Sequence, residues 1–306
     1  MRVITSGPKY VDIDAYACAV AYAELLNLLG EPAIAYSSAV LNESITPTIL
    51  SWNSEFSTSY VPKSEDTFTI VDVSEPKYLD AVVAIDRVDE VIDHHVGFGD
   101  FWSAKRQTKV TLDFIGAAAT LIYEKWIQAD RFLDMSETSA RLLLSAILDN
   151  TLNFQAAITS NRDHAAYAAL LPIANLPEDW TSIYFSECQS KIMRDIQIAL
   201  KNDTKMQTFK QLGGEEIAIG QLVIWDAREI VDTRIGELSS TMHDKSSWWF
   251  INVVSISEGI SYFITDNNAI KEWAEKLLKL SFVDEVAKAD RLWLRKEIVK
   301  EDLDTK

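Results

Sequence analysis

Cysteine, basic charge and long apolar runs are all scarce in this chain, and each shortage closes off a class of function. Two cysteines, Cys18 and Cys188, make neither a metal-spacing motif nor a disulfide framework, and both read as buried thiols. No apolar run approaches the ~20 residues that a bilayer span needs, so no membrane partner is expected. Met1-Arg2-Val3-Ile4 leads straight into a strand-like segment rather than a secretory leader, and a cytoplasmic protein is expected. Lys and Arg number 29 against 46 Asp and Glu, a formal charge of −17. Nucleic acid demands a positive face and is not expected as the main partner. Breakers are few as well, with 10 glycines and 7 prolines in 306 residues that are 48% hydrophobic. Such a chain is globular and long enough for two domains. Its charge sets a condition: an anionic ligand would need a local cation, which a metal ion held by carboxylates supplies.

The first half alternates strand and helix patterns. Residues 2–6 (RVITS) form a short strand. DIDAYACAVAYAELLNLLG then places Ala17, Val20, Ala21, Leu25 and Leu28 on one helical face, with Gly30 as a stop. PAIAYSS, TFTIVDVS (67–74) and DEVIDHH supply further strands, and helical stretches follow near 116–129, 136–148, 161–171 and 180–201. This alternation predicts the α/β class, a doubly wound and mostly parallel sheet whose ligands bind beyond the carboxyl ends of its strands. From about residue 200 the character changes. EEIAIGQLVIWD and the pair SSWWFINVVSI and GISYFITD read as antiparallel strands, with Ser257-Glu258-Gly259 as a turn and NNAIKEWAEKLLKL as a helix. The expected division is 1–187 for the sheet domain, 188–200 for a helical linker and 201–306 for a smaller α+β domain.

In that architecture the acidic residues gather. Asp12 and Asp14 follow the first strand, Asp72 ends the third, and Asp93-His94-His95 ends the fourth, all at one predicted edge. Asp149 closes the apolar helical run LLLSAILDN, a costly place for a carboxylate without a positive partner. Carboxylates with one or two imidazoles suit Mn²⁺ or Mg²⁺ better than zinc. More carboxylates than one ion needs point to two ions sharing a bridging carboxylate and activating a water as hydroxide. Each residue alone has a plainer reading. Asp12 and Asp14 favour a helix dipole, Asp72 could cap a following turn, and the paired histidines could simply end a strand. His164 and His243 read as structural or exposed.

Taken in order, VDIDAYACAVAYAELL, IVDVSEP, VIDHHVG and SAILDNTLNF resemble the motifs of the DHH phosphoesterase superfamily. The C-terminal part, through NDTKMQTF (202–209) and LWLRKEIV (292–299), resembles the companion DHHA2 domain. That pairing occurs in the manganese-dependent family II inorganic pyrophosphatases, the exopolyphosphatases and prune-like proteins. The resemblance implies a metal-dependent hydrolase of phosphoric anhydride bonds, acting on pyrophosphate or short polyphosphate through a metal-bound hydroxide. It implies two Mn²⁺ ions, with Mg²⁺ or Co²⁺ as substitutes. Asp12 would ligate the first and Asp14 the second, Asp72 would bridge them, and His94 and Asp149 would complete the second. His95 would meet the substrate phosphate, and Lys205, Arg295 and Lys296 of the second domain would clamp it. The partner is then a small anionic phosphate. A homodimer is possible, since some relatives pair through an edge strand.

One position departs from the pattern. The superfamily carries a metal-binding histidine after the first glycine, and in GPKYVDID Pro8 stands there, with no ligand atom to offer. Ala15 also replaces a usual serine. The first ion should be held more weakly. The competing expectation is a degenerate relative that binds a phosphorylated ligand or protein without turnover. A nuclease ranks lower, because it needs stacking aromatics beside a basic groove, whereas Trp248 and Trp249 lie in a strand-like core segment.

Overall fold

β1 (Arg2–Thr5) pairs on one side with β2 (Ala33–Ala35) and on the other with β3 (Thr67–Val71), and β4 (Val88–Asp93) and β5 (Lys109–Leu112) extend the sheet outward. The order is β2-β1-β3-β4-β5, and every pair is parallel. This computed structural model describes residues 1–95, 97–105 and 107–304, so Val96 of the Asp-His-His segment lies outside the described residues. The chain divides into two units, Met1–Tyr184 and Phe185–Lys306.

In the first unit, the doubly wound parallel sheet is the one that the sequence predicts. β3 is buried on both faces, with Phe68, Thr69, Ile70 and Val71 all wholly buried, as a central parallel strand requires. α1 (Ile13–Leu28) follows β1, and Asp12 caps it by accepting from the Ala15 N–H at 3.0 Å. Ala15, Ala17, Ala19, Ala21 and Ala23 are all buried, so this helix is enclosed almost all round rather than along one stripe. Leu28, expected on the inner face, is 45% exposed, because the helix emerges from its neighbours at its last turn. α2 (Pro47–Ser51), α3 (Gly99–Ser103), α4 (Ala118–Gln128), α5 (Glu137–Asn150) and α6 (Asn161–Ala174) complete the unit.

The helix expected over 180–201 is two helices, α7 (Trp180–Arg194) and α8 (Ile196–Asn202), because Asp195 breaks the run and caps α8 at the Ile198 N–H. Ile196 and Leu200 of α8 belong to the second unit's core. That unit carries a mixed sheet of β6 (Thr204–Thr208), β7 (Glu216–Ile224), β8 (Trp249–Ser255), β9 (Ile260–Ile264), β10 (Phe282–Val283) and β11 (Val286–Lys288). The order is β10-β11-β9-β8-β7-β6.

The β8–β9 hairpin is antiparallel as expected, but β7 pairs with β8 in parallel. A π-helical turn, Ile230–Arg234, and α9 (Ile235–His243) lie between β7 and β8, and a crossover of that length returns the chain in the same direction. Helices cover both faces of β8. Trp249 and Ile251 pack in one cluster with Met242 of α9, and Phe250 packs in another with Trp273 of α10 (Asn268–Leu278) and Ile298 of α11 (Arg295–Asp304). The two-sided burial explains the apolar run, interrupted only by the buried Asn252, and makes Trp249 a core residue. No helix among the described residues is long and apolar enough to cross a membrane.

Candidate metal centre

After β1 the chain turns toward β2, and after β3 it runs the other way toward β5. The carboxyl ends of β1 and β3 therefore flank the switch point of the sheet, where ligands bind in doubly wound folds. Asp12 and Asp14 follow β1, Asp72 follows β3 directly, and His94 and His95 follow Asp93, the last residue of β4.

Asp14 is fully buried, and its oxygens accept from the backbone N–H groups of Ala118 and Ala119, both at 2.8 Å. It thereby caps α4, whose own N-cap, Ala117, has no side chain that could do so. Asp72 adopts φ 54°, a left-handed conformation that Asp tolerates better than most residues. Its Oδ1 is buried with no hydrogen-bond partner among the described residues. That oxygen lies 3.4 Å from His94 Nε2 and 3.9 Å from His95 Nδ1. Asp14 Oδ2 stands 3.8 Å from the same His94 nitrogen.

The His94 ring is oriented from behind. Its Nδ1 donates to the Ile115 carbonyl at 3.0 Å, which leaves Nε2 with its lone pair toward the carboxylates. His95 is held by Asp93, which accepts from its backbone N–H at 3.1 Å and from Nδ1 at 2.7 Å. Asp72, His94 and His95 form a group whose ligand atoms all lie within 4.8 Å of one another. A buried, unpartnered carboxylate oxygen facing two imidazoles is costly on its own and is satisfied by a cation, so the donor set fits a divalent ion.

The remaining predicted ligands approach this group electrostatically. Burial pushes Asp149 up to about 7, against the Tyr184 hydroxyl 2.9 Å away that opposes the shift, and the Asp12 and Asp14 charges add to it. Burial likewise lifts Asp14 to about 6; His94 opposes this and Asp12 reinforces it. Asp72 is pushed well above the usual carboxylate range by burial, then by Asp12 and Asp14. Asp14, Asp72 and Asp149 are therefore each harder to ionise in the field of their acidic neighbours. His95 moves upward because Asp93 accepts its N–H. Burial works against Asp93 too, but the His95 hydrogen bond and charge outweigh it and hold that carboxyl low.

These shifts predict an unusual pH response. A carboxyl whose folded pKa is raised contributes stability that is complete below its unfolded pKa and is lost as pH rises through the folded one. For Asp14 and Asp149 that window runs from 3.8 to about 6 and about 7 respectively. The metal-free protein should lose thermal stability as pH rises from about 4 to about 7, and Mn²⁺ should restore it. Melting curves across that range, with and without metal, provide the check.

The predicted basic residues all lie in the second unit. Lys205 is exposed on β6, and Lys296 is exposed in the first turn of α11. Arg295 is half-buried, with its guanidinium 2.5 Å from Asp203 Oδ1 and 2.6 Å from the Asp203 carbonyl, and its backbone N–H donates to Gln221 at 2.7 Å. These bonds bring Arg295 beside the start of β6, two residues from Lys205. Pro8 is exposed and offers the centre no ligand atom.

Several positioning residues escape the sequence pattern. Tyr184 reaches Asp149 and, at 3.2 Å, the Ser44 carbonyl, while Ser44 Oγ accepts from Ile13 N–H at 2.8 Å, next to the Asp12 turn. Asp163 holds Gly116 N–H and the Thr120 hydroxyl, and so fixes the segment that carries Ile115 and the start of α4. One signal for this was available: GAAAT opens a helix without any capping residue, so its cap has to come from elsewhere. Tyr184→Phe should weaken Mn²⁺ binding roughly tenfold at neutral pH, because Asp149 loses the donor that favours its ionised form, and by less in alkaline solution. Calorimetric titration at two pH values would read this.

Comparison with known proteins places these features. A protein of Bacillus licheniformis, named a probable manganese-dependent inorganic pyrophosphatase, is 24% identical over 297 residues, spanning 94% of this chain and 92% of its own. A like-named protein of Clostridium acetobutylicum is 25% identical over 244 residues, 73% of this chain and 71% of that one. Among solved structures, one described as a Methanococcus jannaschii family II inorganic pyrophosphatase superposes with a TM-score of 0.65 at 20% identity, covering 99% of this chain and 98% of its own. An exopolyphosphatase-related protein of Bacteroides fragilis gives 0.54 at 14% identity, over 98% and 89% of the two chains. No family model matches. By sequence and by fold, the chain is similar to the manganese-dependent family II inorganic pyrophosphatases and, in fold, to an exopolyphosphatase-related protein.

Proposed function

We propose that this protein hydrolyses phosphoric anhydride bonds, with inorganic pyrophosphate or short polyphosphate as substrate and Mn²⁺ as the metal. The observation that carries the proposal is the buried Asp72 Oδ1, unpartnered and facing the imidazoles of His94 and His95. The names of the relatives support the same chemistry.

Asp12, Asp14, Asp72, His94 and Asp149 would hold two ions, with Mg²⁺ or Co²⁺ accepted by the same oxygen and nitrogen donors. Divalent cations bound there supply the positive charge that an acidic protein otherwise lacks and make water a better nucleophile. The chain's own groups do the positioning. Ile115 fixes the His94 tautomer, the amides at the start of α4 fix Asp14, and Tyr184 favours the ionised form of Asp149. Lys205 and Lys296 would supply point charge to phosphate oxygens, and Arg295 a planar fork oriented by Asp203.

A panel of pyrophosphate, polyphosphates, nucleotides and short RNA, each with Mn²⁺, Mg²⁺ and Co²⁺, tests the reading. Phosphate release should require the metal and be fastest from pyrophosphate or short polyphosphate. Metal-loaded protein that releases phosphate from none of them would be a binder without turnover, and the proposal would fail.

A further inference from the structure

Asn252 is a polar side chain in the middle of an apolar strand. Every residue of β8 is buried, and Asn252 is wholly so. Its Oδ1 has no hydrogen-bond partner among the described residues. A strand built only for its core would carry an apolar side chain there, because an unpaired buried oxygen costs stability. The other atom of the amide shows what the position holds. Asn252 Nδ2 donates to the Trp293 carbonyl at 2.6 Å, across 41 residues of sequence. Directly opposite Asn252 on β7 stands Gln221, whose Oε1 accepts from the Arg295 backbone N–H at 2.7 Å. On β9, Ser261 Oγ accepts from the Trp293 backbone N–H at 2.9 Å. Polar side chains of three adjacent strands thus hold Trp293 and Arg295 at the entry to α11. The Arg295 guanidinium is tied separately, to Asp203.

From this arrangement we infer that Asn252 and Gln221 are positioning residues of the phosphate clamp: they set the backbone of residues 293–295 and, through it, the aim of the Arg295 fork. The inference rests on the clamp proposed above and lies wholly within the second unit. A planar fork needs such support, because its two N–H groups must meet phosphate oxygens together, and a small displacement of the backbone loses both. Asn252 therefore serves substrate affinity, at a cost to the core that its unpaired oxygen records.

Calorimetric titration of the Mn²⁺-loaded full chain with imidodiphosphate, a pyrophosphate analogue bridged by nitrogen, reads phosphate affinity without turnover. Arg295→Ala should weaken binding at least about tenfold, and Asn252→Leu, which removes the donor but keeps a similar shape, by a comparable factor. The double variant should bind no more weakly than Arg295→Ala alone, because Asn252 acts through Arg295. Mn²⁺ affinity should stay at the parent value throughout. Should Asn252→Leu fail to fold, Gln221→Leu, at a half-buried position, should give the same results. Analogue binding like the parent's in the folded variant, or losses that multiply in the double variant, would overturn the inference and leave the clamp standing. So would a fall in Mn²⁺ affinity alongside analogue affinity, which marks a merely structural role. Parent protein that loads Mn²⁺ but binds no imidodiphosphate would overturn both.

Discussion

Asp72→Asn is expected to abolish Mn²⁺ loading and to slow phosphate release by at least about a thousandfold, equivalent to about 4 kcal/mol in the barrier. Asparagine is a sharper test than alanine, because the residue sits at φ 54°. Asn tolerates that left-handed conformation, whereas Ala would add a backbone penalty of about 1–2 kcal/mol. Among the predicted ligands, Asp72 alone has a buried oxygen without a hydrogen-bond partner among the described residues. Its charge opposes those of Asp12 and Asp14. Removing that charge should therefore raise the melting temperature of the metal-free protein while destroying metal binding. Opposite movements of stability and affinity are what a site built around an ion produces. Asp72→Asn protein that loads Mn²⁺ and releases phosphate like the parent would remove Asp72 from the centre.

Gly116→Ala should be almost as damaging, although residue 116 touches no ion. A Cβ at this position would come 2.6 Å from Thr151 Cγ2 and 2.7 Å from Asp163 Oδ2, well inside contact distance. Both neighbours are wholly buried, and Asp163 is committed to Gly116 N–H, Thr120 and Ser160. The clash has to be relieved by moving the 115–118 segment. That segment holds the Ile115 carbonyl behind His94 and the amide of Ala118 on Asp14. Overpacking of this kind costs about 1–3 kcal/mol, and each kcal/mol lowers the melting temperature of a unit this size by about 2–4 °C. Mn²⁺ affinity should fall at least about tenfold, as for other losses of ligand support. Thermal unfolding and metal titration of the same preparation would measure the two effects together.

The parts of the fold that the sequence displays are those whose local pattern and burial agree. β1, α1, β3 and β4 carry apolar runs or helical spacing, and Asp12 marks the start of α1 as a cap. β5 is not legible, because Lys109–Leu112 forms an edge strand, exposed or half-buried throughout, and gives no apolar signal. The direction of β7 relative to β8 is invisible in either strand's composition; it is decided by the helical crossover between them.

The same division holds at the centre. Asp12, Asp14, Asp72 and His94 are readable against strand ends, which a doubly wound sheet brings together, and Asp149 against the end of the apolar run of α5. The supports are not. The Tyr184 hydroxyl and the Ile115 carbonyl act through tertiary contacts, and a backbone carbonyl carries no residue signature at all. Arg295 shows the converse case. Sequence marks it as a basic residue, but its pairing with Asp203, 92 positions away, emerges only in the folded second unit.

The central claim, that side chains from separate strand ends and helices hold divalent cations together, is tested most directly by anomalous scattering from crystals of the Mn²⁺-loaded protein. The account predicts a manganese peak bonded to Asp72 and His94 at the carboxyl end of the five-stranded sheet. Manganese bound only elsewhere, with Asp72 Oδ1 still unpartnered in protein that was saturated with the metal, would contradict it.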